Sequence, residues 1–91
     1  MTEQELSNIE TMAYNLLPLS VIAANLEVSE LDFRMWMDDH NSDAFRAYMK
    51  GFGKQLFETH AAIIKAAANG SNPAQMEVVK MIEQCMREIM V

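Results

Sequence analysis

The sequence predicts an all-α fold: an N-terminal three-helix unit over residues 1–40, then, over residues 41–91, a long helix and a C-terminal helix that pair as an antiparallel hairpin, the whole packed as one small domain. Three observations predict it. Apolar residues recur at steps of three and four almost throughout, and no useful stretch alternates as a strand would. Residues that open and close helices fall at regular places along the chain. The chain has 91 residues, 51% of them hydrophobic, enough for one modest core.

Each element can be justified in order. Thr2-x-x-Glu5 is a capping box that opens a first helix, near 2–17, whose apolar positions Leu6, Ile9, Met12, Ala13, Leu16 and Leu17 share one face. Pro18 stops it and suits the first turn of the next helix. The second helix, near 19–26, is short and turns Ile22, Ala23 and Leu26 inward. Ser29 caps a third, near 29–39, with Asp32 at the capping-box position and Leu31, Phe33, Trp36 and Met37 as its apolar mass. Trp36 is expected to be buried against residues such as Ile9, Ala23 or Phe33. Asn41 or Ser42 caps a fourth helix, near 42–69, with Phe45, Met49, Phe52, Leu56, Thr59, Ile63 and Ala66 as a heptad-like seam. Gly51 and Gly53 interrupt that helix, where it bends, breaks or packs closely on a neighbour. Asn69-Gly70 closes it, Gly70 supplying a left-handed residue. Asn72, Pro73 and Gln75 open a fifth helix, near 73–91, with Val78, Ile82, Cys85 and Ile89 as its seam.

The apolar positions outnumber what those seams use. Tyr48, Phe57 and Ile64 lie off the seam of the fourth helix, and Met76, Val79, Met86 and Met90 lie off that of the fifth. A chain this small has difficulty burying both sets, which marks these residues as a candidate interface between copies in a homo-oligomer. The alternative is that the three-helix unit covers part of this surface. The nine methionines suit adaptable packing.

Charge is unevenly placed. The net charge is −6. Residues 1–50 account for all of it, with three cations (Arg34, Arg46, Lys50) against nine carboxylates, whereas residues 51–91 balance four against four. One cysteine, Cys85, cannot form an internal disulfide and is read as a small buried apolar residue. No apolar run approaches the roughly 18 residues of a membrane span, and the acidic N-terminus is unlike a signal peptide. A cytoplasmic location is therefore expected, with no membrane association. His40, His60 and Cys85 lack metal-ligand spacing, and His60 is read as a packing residue. Gly51-Phe-Gly-Lys54 lacks the spacing of a phosphate-binding loop, and no nucleophile–base set is evident. No catalytic residue, metal or cofactor is expected.

The most specific motif is a helix-turn-helix at residues 19–39. Ala23 is small enough for the third helix to cross closely, Val28 is the apolar turn residue, and Phe33 and Trp36 are the matching apolar positions beyond it. Glu27 stands where such turns often carry Gly, and can adopt that backbone at some cost. The alternative is a generic three-helix bundle with a tight turn. Ser29, Glu30, Leu31 and Arg34, together with Met35, are the positions that would face a DNA major groove. Only Arg34 is a good guanine reader; Glu30 could accept from cytosine but repels phosphate. The face is either a weak, context-dependent reader or a solvated or protein-facing surface. Arg46, Lys50 and Lys54 recur every fourth residue as a basic stripe. It suits contacts to a nucleic-acid backbone, or it is a solvated face pairing with Asp39 or Asp43.

With these motifs in place, the chain resembles the small subunit of tailed-phage terminases. The resemblance is carried by Ser20-VIAANLEVSELDFRMW-Met37, Ser42-DAFRAYMKGFGKQ-Leu56 and Ala66-AANGSNPAQMEVVKM-Ile82. Within these, Asp43, Phe45, Ala47 and Tyr48 match the acidic-aromatic-Ala-Tyr pattern leading into a long helix, and Ala67 to Gly70 match the late Ala-x-x-Gly segment. The resemblance implies a non-catalytic DNA-packaging role in the host cell cytoplasm. Copies would assemble through the helical region, bind viral DNA weakly per subunit, and present it to the large ATPase/nuclease subunit. The acidic third helix departs from that pattern. It keeps open a second reading, a protein-interaction module that has the helix-turn-helix shape without DNA binding.

Overall fold

The computed structural model describes residues 1–90, with side chains through Ile89. The described residues are all-α and form five helices: α1 (Glu3–Tyr14), α2 (Leu19–Asn25), α3 (Glu30–Asp38), α4 (Asp43–Ala68) and α5 (Asn72–Met90). The expected end of the fifth helix at Val91 lies outside the described residues. Two compact units are present, Met1–Leu56 and a second from Phe57 onward. The first turns of α4 therefore belong with α1–α3.

The starts of α1, α3 and α4 follow the side chains anticipated for them. The Thr2 hydroxyl accepts from the Glu5 N–H at 3.1 Å, and the Glu5 carboxylate accepts in return from the Thr2 N–H at 3.1 Å. Ser29 Oγ accepts from the Asp32 N–H at 3.0 Å. Ser42, the expected alternative to Asn41, accepts from the Phe45 N–H and donates its own hydroxyl proton to the Trp36 carbonyl at 2.8 Å, so one side chain joins the end of α3 to the start of α4. At α5 the cap is Ser71, not Asn72: its Oγ accepts from the Ala74 N–H, which places Pro73 at the second helical position. Gln75 turns away from the cap and donates to the Ala67 carbonyl at 3.1 Å.

Three helix ends share one termination. After α1, the Leu17 N–H reaches the Met12 carbonyl and Leu16 has φ +61°. After α2, the Val28 N–H reaches the Ala23 carbonyl and Glu27 has φ +59°. After α4, the Ser71 N–H reaches the Ala66 carbonyl and Gly70 has φ +97°. Each is a Schellman closure around one left-handed residue. Only Gly70 occupies that region without steric penalty; Leu16 and Glu27 are held there at about 1–2 kcal/mol each. What holds them is the residue that follows: Leu17 and Val28 both pack against the core. The first helix thus ends at Tyr14, three residues before the expected Leu17, because the chain turns left-handed at Leu16 to bring Leu17 inward.

In the unit up to Leu56, the core consists of Ile9, Ile22, Ala23, Phe33 and Ala44, with Ala13 also buried. Ile9, Ile22 and Phe33 have no exposed surface, each contributing roughly 1.5–3 kcal/mol of burial. Trp36 is half-buried at the rim and meets Phe33 edge-on, ring centroids 6.1 Å apart, short of the full burial expected of it. Leu31 is 70% exposed and does not join the apolar mass of α3. His40 stacks on Phe45 at 4.3 Å across the α3–α4 connection.

The expected seam of α4 is corrected by its contact with α1. Ala44 and Gly51 are the buried positions, with Ala47 and Tyr48 beside them, whereas Met49 and Leu56 are exposed. A methyl group on Gly51 would overlap the Glu10 carbonyl. The helices approach through small residues; of the expected line Met49 and Leu56 turn out to water, whereas Phe45 and Phe52 stay half-buried. α4 runs unbroken through both glycines, so close packing at Gly51 is the outcome among those the sequence allowed.

Beyond Phe57, the second half of α4 packs with α5, and none of the described residues there is fully buried. The inward line of α5 runs through Ala74, Val78 and Met81. Of the expected seam only Val78 stays inside: Ile82 is 53% and Ile89 79% exposed, and Cys85 is exposed instead of buried. Two helices can cover only one stripe of each other, and here that stripe holds His60, Ile63, Ala66 and Ala67 on α4 with Ala74, Val78 and Met81 on α5. No helix among the described residues is long and apolar enough to cross a membrane.

Candidate nucleic-acid interface

Residues 29–35 form the first turns of α3 and its cap. Ser29 spends its hydroxyl as acceptor on the cap bond. Glu30 and Asp32 lie in the first turn, where the positive end of the helix dipole stabilises carboxylates, so acid at these positions has a local cause. Ser29, Glu30, Leu31, Arg34 and Met35 are all exposed on one unit, as the sequence reading expects of them. Leu31 and Met35, one turn apart, are 70% and 61% exposed. Among them Arg34 is engaged: its Nε and Nη2 both donate to Glu30 Oε1, at 3.0 and 2.8 Å.

The basic stripe of α4 meets α1. Lys50 Nζ lies 3.6 Å from Glu10 Oε1, and Lys54 Nζ sits over the Tyr14 ring at 5.9 Å. Arg46 and Lys50 share a groove with Glu3, Glu10 and Asp43. Gln55 Nε2 donates to the Tyr14 carbonyl at 2.9 Å, fixing α1 against this part of α4. The partner expected for the stripe was Asp39 or Asp43; Asp43 lines its groove, but the ion pair is made by Glu10. Asp39 instead accepts from the Asn41 N–H. Arg34 is thus held on α3, whereas Lys50 and Lys54 meet α1 and Arg46 lines the groove beside it, as two sets with different surroundings. The sequence reading missed Glu10 and Tyr14, because residues four apart on α1 gain meaning only once α4 is known to lie against it.

The expected interface between copies divides. Phe57 is 76% exposed, Ile64 52%, Met76 66%, Val79 54% and Met86 55%. Tyr48 is not among these: it is half-buried against the core and stacks on Phe52 at 6.0 Å. The Met90 side chain lies outside those described. An apolar groove between the second half of α4 and α5 is lined by His60, Ile64, Val78, Met81, Ile82, Cys85 and Met86. Among the described residues, no group of three or more His, Cys, Asp or Glu side chains could hold a metal ion.

No family model, characterised protein or solved structure matches the chain.

Proposed function

We propose that the chain is a DNA-packaging adaptor of the terminase small-subunit kind, acting in the host cell cytoplasm without catalysis of its own. In this reading α2, the turn at Glu27 and α3 are a helix-turn-helix, and α4 with α5 is an antiparallel hairpin that joins copies into a homo-oligomer. The observation that carries it is the turn: Glu27 held left-handed between two short helices, with Ala23 buried beneath and Leu31, Arg34 and Met35 turned out to water. That backbone costs free energy at a non-glycine residue, so a specific crossing of α2 and α3 is being maintained. The exposed Phe57, Ile64, Val79 and Met86 support assembly, which would pool weak sites into useful avidity. The large ATPase/nuclease subunit would be the protein partner.

A second reading is favoured by the cations. Arg34 is held by Glu30 and Lys50 by Glu10, and the net charge is −6, as suits a protein-interaction module that leaves DNA alone. A duplex-DNA shift assay at about 50 and 200 mM salt separates the two. An adaptor that neutralises several phosphates loses affinity by orders of magnitude across that range. Absence of a shift at the lower salt, with the protein oligomeric, selects the interaction module.

A further inference from the structure

Glu30 is the residue that most clearly argues against DNA, and its geometry suggests an opposite role. Its carboxylate Oε1 accepts from both Nε and Nη2 of Arg34. Those two N–H groups lie along one side of the planar guanidinium. The side occupied leaves the outer edge free, where Nη1 and the second Nη2 proton point away in parallel. That outer edge presents two parallel donors that can meet guanine O6 and N7 in the major groove. An unrestrained arginine carries considerable rotamer entropy, and on the surface of a helix it samples many directions. Here the Glu30 pair biases it end-on at the exposed start of α3, with half of each side chain open to water: 54% for Arg34 and 50% for Glu30.

Building on the adaptor reading, we propose that Glu30 is a positioning residue for base specificity: it orients Arg34 to read a guanine and makes the arginine unsuited to phosphate. The second effect follows from charge. A guanidinium already facing a carboxylate gains less from a phosphate, and the uncompensated remainder of Glu30's field repels the backbone. Glu30 therefore trades indiscriminate affinity for discrimination between bases. The acidic start of α3 is a filter in this arrangement, and weak binding to arbitrary duplex is its expected by-product.

The test is selection from a duplex pool of randomised sequence, run with the full chain and with the variants Glu30→Gln, Arg34→Ala and Arg34→Lys, followed by titration of the selected duplex and of copies with single base changes. The unsubstituted chain should select a site containing a guanine whose replacement weakens binding about tenfold or more, the range of one bidentate contact. Arg34→Ala and Arg34→Lys should both lose that preference. Glu30→Gln, exposed and one atom different, should bind unrelated duplex more tightly while its guanine preference falls several-fold. A Glu30→Gln variant that binds more tightly and keeps its guanine preference undiminished overturns the inference and leaves the adaptor reading intact. Failure of every form, the unsubstituted chain included, to retain any duplex removes both.

Discussion

At the scale of single residues, strain and close contact make the sharpest predictions. Glu27 has φ +59° and is exposed, so its side chain gives nothing back for the backbone it is forced into. Glu27→Gly should stabilise the chain by about 0.5–1 kcal/mol, the relief of left-handed strain being partly offset by glycine's greater freedom when unfolded. Urea denaturation would show it; a loss of stability would mean that Glu27 makes an interaction in the folded chain that outweighs its strain. The two glycines of α4 offer a matched pair. A methyl at Gly51 meets the Glu10 backbone, which cannot move without dragging α1, whereas a methyl at Gly53 meets nothing within 4 Å. Gly51→Ala should destabilise by about 1–3 kcal/mol and Gly53→Ala should stabilise by up to about 1 kcal/mol, as measured by thermal melting. Trp36→Ala, at the half-buried rim, should cost about 2 kcal/mol, less than the roughly 3–5 kcal/mol of a fully buried aromatic.

At the scale of elements, helix starts were written plainly and helix faces were not. A cap depends on residues within three or four positions of one another, so Thr2, Ser29, Ser42 and Gly70 could be read in place. Ser29→Ala should therefore cost about 1 kcal/mol. Which side of a helix faces inward depends on what meets it. Phe45, Met49, Phe52 and Leu56 form the more apolar line of α4, but α1 arrives against Ala44, Ala47 and Gly51, and no local pattern announces that. The same holds for the candidate interface. The exposed positions of α3 were legible because the turn orients them. The pairing of Lys50 with Glu10 was not, because it joins two helices far apart in sequence. The capping box of α1 also carries a pH signature. The Thr2 N–H, and then its hydroxyl, hold the Glu5 carboxyl below its ordinary value of 4.5. A lowered carboxyl stabilises the folded state above the unfolded value, and that contribution disappears as pH falls through the folded one. The first turn of α1 should therefore loosen in acid, seen as a falling amide-exchange protection factor (the intrinsic rate over the observed rate at each pH) at Leu6, whose N–H bonds to the Thr2 carbonyl. Glu5→Gln should remove that acid dependence.

At the scale of the whole molecule, the distribution of buried surface divides the chain. Among the described residues, the fully buried side chains lie before Phe57, and those beyond it leave large apolar groups in water. Self-association is the expected resolution. Sedimentation equilibrium at micromolar concentration should find an oligomer, and Phe57→Ser or Val79→Ser should shift it toward monomer with helix content retained. A clean monomer would remove the pooling of sites that a chain of net charge −6 needs to hold DNA.

The meeting of α1 with α4 also sets the order in which a growing chain can become a structure. Tyr14 and Gln55, which bond across this contact, stand 41 residues apart. At about 5–20 residues per second, α1 leaves the ribosome roughly 2–8 s before the segment it packs against. During that interval Ile9 can reach Ile22, Ala23 and Phe33, but the side later covered by Ala44 and Gly51 stays open. The nascent chain should thus expose an apolar, protease-sensitive flank until Leu56 has emerged. A stalled chain displaying only residues 1–40 should be cut readily within α1, and one displaying residues 1–60 should resist.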